Sequence, residues 1–255
     1  MNIKRTTDIT SEIGFLMLTH GAEINRVEDT ICRIAKAYGF SADVFAIPSS
    51  LVVTVSDEEN KSFTKTRRVY YRDLNLDRVD RLNNLARTVC ADKPDYEYVC
   101  TAISEICARP SYSDSLKQAM AALGAGAFAL LFGGSMADAV AAAVTGVLVR
   151  MAFIFMEKKG GGALLNNIVG GAICSTVAMI LTKLYIGLNI DTIIISALML
   201  LVPGLAMTNS MRDIVAGDLV TGVMKGTEAI VVATGIAIGV MMSIAAFRGI
   251  LGVSI

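Results

Sequence analysis

The chain has 255 residues, of which 54% are hydrophobic and only 18% are charged, and its mean hydropathy is +0.58. Soluble domains carry about 25% charged residues, so this composition excludes an ordinary soluble protein, a disordered chain and a collagen-like or coiled-coil fibre. The 23 basic residues balance 23 acidic residues, so bulk charge gives no argument for nucleic-acid binding. Most charges precede Gln118, which predicts a soluble head at residues 1–115 and a membrane domain at residues 116–255.

The cysteines and the N-terminal segment limit the cofactor and the compartment. Five cysteines form no Cys-x-x-Cys pair, and their odd number argues against a disulfide framework, so we expect neither a metal site nor another cofactor. The N-terminal segment has two basic residues without an apolar run behind them. We therefore predict no signal peptide and a head that stays in the cytoplasm.

The head is predicted to be a small α+β domain. A first helix is expected with Thr7 or Asp8 as its N-cap, and a second over about residues 22–38, where apolar residues recur every three or four positions. Two β-branched runs around Pro48 predict a hairpin, and residues 66–71 predict a third strand. Two further helices are predicted at about 77–90 and 95–108, the last ended by Pro110.

Candidate functional residues of the head gather where the second helix begins: His20, Gly21, Glu23, Arg26 and Glu28. His20 is the single histidine and lies on the apolar side of the first helix, which favours a buried structural imidazole over a catalytic group. Glu23, Arg26 and Asp29 either form a charged cluster near Ser49 and Ser50 or pair along the helix surface. The sequence has no G-x-S-x-G, P-loop or H-E-x-x-H motif, so we assign no catalytic residue.

Five apolar segments follow the head, each near the roughly 20 residues needed to cross a bilayer. We place them at about residues 116–132, 137–156, 164–186, 190–207 and 228–250. A cytoplasmic head puts these basic residues inside: Arg109, Lys117, Lys158, Lys159, Arg212 and Lys225. This bias predicts a multi-pass protein of the cytoplasmic membrane with its C-terminus outside. The expected fold is thus an α-helical membrane protein with five transmembrane helices after a small cytosolic α+β domain.

The apolar segments are rich in alanine and glycine rather than leucine, and Gly235 and Gly239 form a G-x-x-x-G motif. Small residues let helix backbones approach closely, which predicts helix–helix packing on these faces. The number of segments is odd and no internal repeat is visible. The membrane domain is therefore expected to form a dense bundle or to need a partner.

The fourth apolar segment contains a Pro203-Gly204 pair deep in its sequence. Proline lacks an amide N–H and crowds the preceding turn, so this pair predicts a kinked or interrupted helix. Interrupted helices present backbone groups to substrates in many transporters, although a break that serves packing alone is equally compatible with the pattern.

Polar residues that follow or neighbour this break are the candidate substrate-binding residues: Asn209, Arg212, Asp213, Asp218, Asn166, Asn167 and Arg150. An arginine binds a carboxylate bidentately, and an aspartate accepts an ammonium group or a proton. The same pattern also fits a short helix at the cytoplasmic surface. Arg150 either extends to the membrane interface or faces a polar pathway.

Two stretches together carry a family resemblance. The first is GAEINRVEDT at residues 21–30, continued by AYG at residues 37–39. The second comprises Pro203-Gly204, Asn209, Arg212-Asp213, Gly217-Asp218 and Gly222. These stretches, with the order of head and five spans, resemble the ThrE-type threonine/serine exporter family and more closely its split, YjjP-like members.

The resemblance implies a second set of spans, which in that family is fused or supplied by a separate small YjjB-like subunit. A chain with five spans then resembles the larger subunit of a two-component exporter, and assembly into a homo-oligomer is a further expectation. The resemblance further implies export driven by the proton-motive force, with threonine and serine, or succinate in split members, as substrates. The expected partners are thus a small molecule, membrane lipid and a second membrane subunit.

The main hypothesis is a subunit of a secondary transporter for a small carboxylate-bearing metabolite. Arg212 and the half-helix after Gly204 would bind the carboxylate, and Asp213 or Asp218 would bind an amine or the coupling proton. One alternative is a membrane-anchored enzyme whose chemistry uses His20, Glu23, Asp29 and Ser49. Another is a regulatory scaffold whose head binds a partner.

Overall fold

A computed structural model describes residues 1–59, 61–71, 73–110, 112–158 and 162–251. These residues form two compact units. The first, which we call the head unit, comprises Met1–Pro110 and Asn209–Lys225, and the second, the membrane unit, holds the remaining described residues. The division differs from the boundary placed at residue 115, because a segment from the second half of the sequence belongs to the head unit. Lys159 and the C-terminal residue lie outside the described residues.

The head unit is an α+β domain, with a three-stranded antiparallel sheet in the order β1-β2-β3. Its elements, in chain order, are α1 (Ile3–Thr19), α2 (Ile24–Ala37), β1 (Ser41–Ile47), β2 (Ser50–Ser56), β3 (Ser62–Arg68), α3 (Leu76–Asp92) and α4 (Tyr96–Ala108). The predicted hairpin and the predicted helices are confirmed as elements. The predicted apolar stripe of α2 is buried in the core of this unit, with Ile24, Val27, Ile31 and Ile34 at most 1% exposed.

Two predicted starts in the head are wrong. Helix α1 begins at Ile3, because the Asn2 side chain accepts a hydrogen bond from the backbone N–H of Arg5 at 2.9 Å and caps the helix. Asp8, predicted as a cap, instead pairs with Lys65 of β3 at 2.6 Å. Strand β3 begins at Ser62 rather than residue 66, since its register is set by pairing with β2.

The remaining elements are helical: α5 (Asp114–Leu131), α6 (Met136–Lys158), α7 (Ala163–Lys183), α8 (Ile190–Leu198), α9 (Gly204–Val215) and α10 (Leu219–Leu251). Within the described ranges, three stretches are long and apolar enough to cross a membrane, at Met136–Met156, Ala163–Lys183 and Leu219–Gly249. Five such helices are not confirmed. Helix α5 has 18 residues and starts with a polar turn, and the fourth predicted span is divided between two short helices.

The interruption predicted at Pro203-Gly204 is confirmed. Helix α8 ends at Leu198 and α9 begins at Gly204, so five residues separate them. The last helix also starts earlier than the predicted residue 228. The Asp218 side chain accepts a hydrogen bond from the N–H of Thr221 at 3.1 Å, which caps α10 directly before Leu219.

Glycines hold α7 and α10 close together, as the G-x-x-x-G motif predicts. A Cβ atom at Gly239 would collide with the carbonyl oxygen of Ile168, and one at Gly171 would lie 2.5 Å from the carbonyl oxygen of Ile236. A hydrogen bond of 2.6 Å between the hydroxyls of Thr176 and Ser243 adds a polar contact. The small residues of these two helices therefore serve backbone-to-backbone packing.

A buried carboxylate fixes the start of α6 to the connection between α7 and α8. Asp138 is 2% exposed, and its carboxylate accepts hydrogen bonds from the backbone N–H groups of Ser135, Leu188 and Asn189 at 2.7–2.9 Å. The carboxylate thus supplies the acceptor for three backbone N–H groups that lie outside the helices. This arrangement assigns Asp138 a structural role.

Candidate functional site

The predicted substrate-binding residues are divided between the two units. Arg150, Asn166, Asn167, Pro203 and Gly204 belong to the membrane unit, whereas Asn209, Arg212, Asp213 and Asp218 belong to the head unit. Each group is described separately below. We call residues 209–225 the polar hairpin; they comprise the second half of α9, the turn after it and the first residues of α10.

The membrane unit contains a cavity of about 760 Å³ that is lined by residues of α5, α6 and α7 and of the break after α8. Apolar side chains make up most of its wall. Polar and charged groups come from Tyr112, Lys117, Arg150 and Asn167. The volume lies within the range of about 300–1,000 Å³ that is typical of sites for small ligands.

Lys117 and Arg150 are the charged residues of this cavity, and both are cationic. No acidic residue is among the described residues that line it. Neither cation forms a salt bridge with any described residue. A charge in an apolar membrane-spanning unit is costly unless it is paired or faces water, so two cations without a protein counter-ion indicate a site for an anion. Of the two alternatives left open for Arg150, the cavity favours a polar pathway.

Asn167 and the helix break also line the same cavity. Asn167 is 8% exposed, and its side-chain N–H donates to the carbonyl oxygen of Ala163 at 2.8 Å. Leu200 and Leu201 of the break also line the cavity. In the described part of the chain, no backbone amide donates to the carbonyl oxygens of these two leucines. Unbonded backbone at such a place is tolerated where it borders a cavity.

The remaining predicted residues of the membrane unit lie near this cavity in sequence but do not line it. Asn166 is 7% exposed and is not a lining residue. Pro203 and Gly204 form the end of the break, where the Gly204 N–H donates to the carbonyl oxygen of Val202 at 2.8 Å. A Cβ at Gly204 would have nothing within 4 Å, so close packing does not explain this glycine.

The charged residues of the polar hairpin have protein partners within the head unit. Arg212 forms an ion pair with Glu23, the residue that precedes α2. Asp213 pairs with Lys225 at 2.8 Å, and the two side chains are only 3% and 12% exposed. The hydroxyl of Ser210 donates to the carbonyl oxygen of Gly222 at 2.7 Å and closes the hairpin. Direct contact of Arg212 or Asp213 with a substrate stays a prediction.

Glu28 and Asp218 bring two carboxylates near each other. The Glu28 side chain accepts a hydrogen bond from the N–H of Ala46 at 3.1 Å, while Asp218 caps α10. Burial raises the pKa of Glu28 most, the hydrogen bond from Ala46 opposes this rise, and the negative charge of Asp218 adds to it. Glu28 is therefore the carboxylate here that binds a proton more readily than an ordinary glutamate.

His20 is buried, as predicted. Its residue exposure is 5%, its Nε2 atom accepts from Nη1 of Arg78 at 3.3 Å, and its Nδ1 atom donates to the carbonyl oxygen of Asp73 at 3.4 Å. Burial, followed by the positive charge of Arg78, lowers the pKa of His20. The adjacent Gly21 has φ +89° and lies against Leu74, which restricts this position to glycine.

This geometry predicts an acid-sensitive head. Because the folded-state pKa of His20 lies below the unfolded value of about 6.5, the unfolded chain takes up a proton first as the pH falls. The stability that neutral His20 gives to the folded head is therefore complete above about pH 6.5 and decreases as the pH falls below that value. Glu28, with a raised pKa, acts in the opposite direction. Thermal unfolding of the full chain in detergent at several pH values, compared with His20→Gln, isolates the histidine; identical pH dependence in both proteins would contradict the assignment.

The predicted charged cluster near Ser49 and Ser50 does not form among Glu23, Arg26 and Asp29. Glu23 pairs with Arg212, and Asp29 pairs with Arg33 at 2.8 Å along α2, in line with the helix-surface alternative. No group of three or more metal-binding side chains occurs among the residues described.

Sequence reasoning missed Lys117 and Lys225 as site residues. Lys117 was used only as a topology signal, because a lysine in the polar start of α5 is what the cytoplasmic end of a membrane helix predicts. Lys225 carried no local signal, because its partner Asp213 lies twelve residues away across the hairpin.

Comparisons with known proteins show which family the chain belongs to. Residues 8–247 match the family described as "Putative threonine/serine exporter". The chain is 25% identical over 248 residues to the "Probable threonine/serine exporter" of Mycobacterium tuberculosis, covering 96% of this chain and 46% of that protein. It is 24% identical over 246 residues to the "Probable succinate transporter subunit YjjP" of Escherichia coli, covering 94% of both.

A third relative, the "Threonine/serine exporter" of Corynebacterium glutamicum, is 25% identical to this chain, and the match covers 50% of that protein's length. The chain thus spans about half the length of the two exporters and nearly all of YjjP. No solved structure matches it. The relatives are named for transport rather than for catalysis, and the family resemblance noted from the sequence is confirmed. Because the family match covers most of its length, the chain belongs to the putative threonine/serine exporter family.

Proposed function

We propose that this chain is the larger subunit of a secondary transporter that exports a small carboxylate-bearing metabolite, and that the membrane cavity binds the substrate. The single observation that carries this proposal is a pair of cations, Lys117 and Arg150, that line an apolar cavity and have neither a salt-bridge partner nor an acidic neighbour in its wall among the residues that the structure describes. A guanidinium group binds a carboxylate bidentately, and the ammonium group of Lys117 supplies a second positive charge.

The charge of the cavity bears on the choice of substrate. A threonine- or serine-like zwitterion carries an ammonium group, which two cations repel, whereas a succinate-like dicarboxylate offers one carboxylate to each cation. The relative that this chain covers almost end to end is named a succinate transporter subunit. We therefore favour a dicarboxylate over an amino acid as the substrate.

The polar hairpin and Glu28 are proposed to serve energy coupling rather than primary substrate binding. The hairpin contains the end of α9 and the start of α10. Its Arg212 pairs with Glu23, and its Asp213 pairs with Lys225. Protonation of Glu28 would remove its repulsion of the Asp218 carboxylate and change how the hairpin is held. Proton-driven export would use this change, with Asn209 at the start of the hairpin.

The proposed topology keeps five membrane segments, with α8 and α9 together forming the broken fourth segment. The head and the basic connections lie in the cytoplasm and the C-terminus lies outside. Since a relative of equal length is named a subunit, we propose a second, small membrane subunit as a partner. Assembly of several copies and contact with membrane lipid are part of the same proposal.

Efflux measurements test this function. Cells loaded with threonine, serine or succinate would express the chain alone or with the small membrane protein encoded beside it. We expect efflux of succinate only on co-expression. Absence of efflux of all three, with both proteins present together in the membrane, would contradict the proposal and favour a scaffold or an enzyme.

The membrane-anchored enzyme is the competing function, and an assay of hydrolysis tests it. Hydrolysis by the full chain of any member of an ester or peptide library, lost in His20→Ala, would support the membrane-anchored enzyme. The tautomer and the contacts of His20 are those of a structural group, so we expect no such activity.

A further inference from the structure

The membrane cavity has an aromatic wall beside its arginine. Phe153 follows Arg150 by three residues on α6, and both side chains line the cavity. Residues with this spacing lie on the same face of a helix, about one turn apart. A ligand whose carboxylate is bound by Arg150 therefore has its carbon chain close to the Phe153 ring.

A glycine of α7 provides the space that this ring occupies. A Cβ atom at Gly170 would lie 2.5 Å from Cε2 and 3.2 Å from Cζ of Phe153, which is too close for the ring to stay where it is. Gly170 is buried inside α7 and does not have a positive φ, so its backbone conformation does not require glycine. Glycine costs about 1 kcal/mol relative to alanine inside a helix. The close approach of the Phe153 ring is therefore the physical reason for glycine here.

The neighbours of the ring determine the direction in which it can move. The same Cβ atom at Gly170 would lie 3.2 Å from Cδ1 of Leu201, a residue of the helix break that also lines the cavity. Phe153 and Leu201 both pack against a buried cluster formed by Val149, Cys174 and Ala197. Because the ring is packed on these sides, the cavity is the free space beside it. A side chain at position 170 would push the ring into the cavity and narrow it.

We propose that Phe153, seated against Gly170, is the specificity-determining residue that sets the length of the dicarboxylate in the cavity. This assignment rests on the proposed function, in which Arg150 binds one carboxylate of the substrate. The methylene groups of the substrate then pack against the ring, and the ring limits how many of them fit. The two cations select for the charge of the substrate, and Phe153 selects for its chain length.

Binding of dicarboxylates to the purified full chain in detergent tests this assignment without requiring export. Isothermal titration calorimetry with succinate, glutarate and adipate compares ligands that differ only in the number of methylene groups. For the wild type we expect the Kd to rise with each added methylene group. In Phe153→Ala the ratio of the adipate Kd to the succinate Kd should fall about tenfold or more, since each methylene group that gains an apolar site contributes about fourfold. Phe153→Leu, which removes less volume, should shift the ratio in the same direction by a smaller factor.

Gly170→Ala provides the opposite change, because it pushes the ring into the cavity. We expect it to raise the succinate Kd about tenfold, and the adipate Kd by more. The same substitution in the Phe153→Ala background should change both Kd values by less than about twofold, because no ring is left for the new methyl group to displace. This dependence of one substitution on the other separates a steric role in the cavity from a general loss of stability.

Two neighbouring residues supply the matched controls. Phe155→Ala removes a ring from the same helix at a side chain that is 60% exposed and does not line the cavity, so both Kd values should stay at the wild-type level. Gly171→Ala places a methyl group against the backbone of Ile236 in α10 rather than against Phe153. It should lower the temperature of thermal unfolding and leave the ratio of the two Kd values unchanged.

Three results would overturn the assignment: no binding of any of the three ligands by the wild type, a wild-type ratio in both Phe153 variants, or an effect of Gly170→Ala that persists without the ring. The proposed function is judged by efflux and this assignment by binding. Succinate efflux with unchanged ratios would reject only the role of Phe153, whereas the expected ratios without efflux would reject only export.

Discussion

Replacing Arg150 with glutamine is expected to abolish export at physiological substrate concentrations. The guanidinium group is unpaired in an apolar cavity, so its loss removes the strongest contact available to a carboxylate there. Loss of about 2–3 kcal/mol of binding raises the substrate concentration needed for half-maximal export roughly 30- to 150-fold. Efflux from loaded cells, measured over a series of internal succinate concentrations, gives this shift directly.

Three further variants make the Arg150 experiment specific. Arg248→Gln makes the same change at the last turn of α10, outside the cavity, and should export normally. Arg150→Lys keeps the charge without the bidentate geometry and should retain partial export. Lys117→Gln should impair succinate more than a monocarboxylate. Wild-type export by Arg150→Gln at equal membrane abundance would remove the cavity from the mechanism.

Breaking the buried ion pair of the polar hairpin is expected to destabilise the protein strongly. Asp213 and Lys225 are 2.8 Å apart and almost fully buried, so Asp213→Ala leaves an uncompensated ammonium group. Removing one partner of such a pair typically costs about 3–5 kcal/mol. The thermal unfolding transition and the abundance in the membrane should both fall.

The matched controls for this prediction are a second variant and an exposed ion pair. Asp213→Ala/Lys225→Met removes both charges and should recover most of the lost stability. Glu59 and Lys61 form a pair in which both side chains are more than 70% exposed, so Glu59→Ala should change stability by less than about 1 kcal/mol. If Asp213→Ala unfolds like Glu59→Ala, the hairpin is not held by this pair.

The ion pair between Arg212 and Glu23 has a different energetic weight. Its side chains are 57% and 29% exposed, and pairs at such exposure contribute at most about 1 kcal/mol. Its position is more informative than its strength, because it joins two parts of the family resemblance that lie 189 residues apart in sequence. The two motifs are therefore one structural feature of the head unit.

Local patterns in the sequence predicted the elements well. The helical periodicity of α2, the hairpin around Pro48 and the break at Pro203 are all determined by residues within one or two turns of each other, and all three appear in the structure. Such features depend on side-chain alternation and on the missing amide of proline, which act without the rest of the chain. Helix starts were less predictable, because a single cap such as Asn2 or Asp218 decides them.

The tertiary structure decided which polar residues act together. From composition, residues 209–225 were assigned to the membrane domain, yet their partners Glu23 and Glu28 lie in the head unit. Lys117 and Arg150 likewise share a cavity although they lie on different helices. Hydropathy and periodicity describe what each residue prefers as a neighbour, whereas long-range pairing depends on how distant segments fold against each other. The sequence by itself therefore determined the elements and the family, and only the tertiary structure determined the membership of the candidate sites.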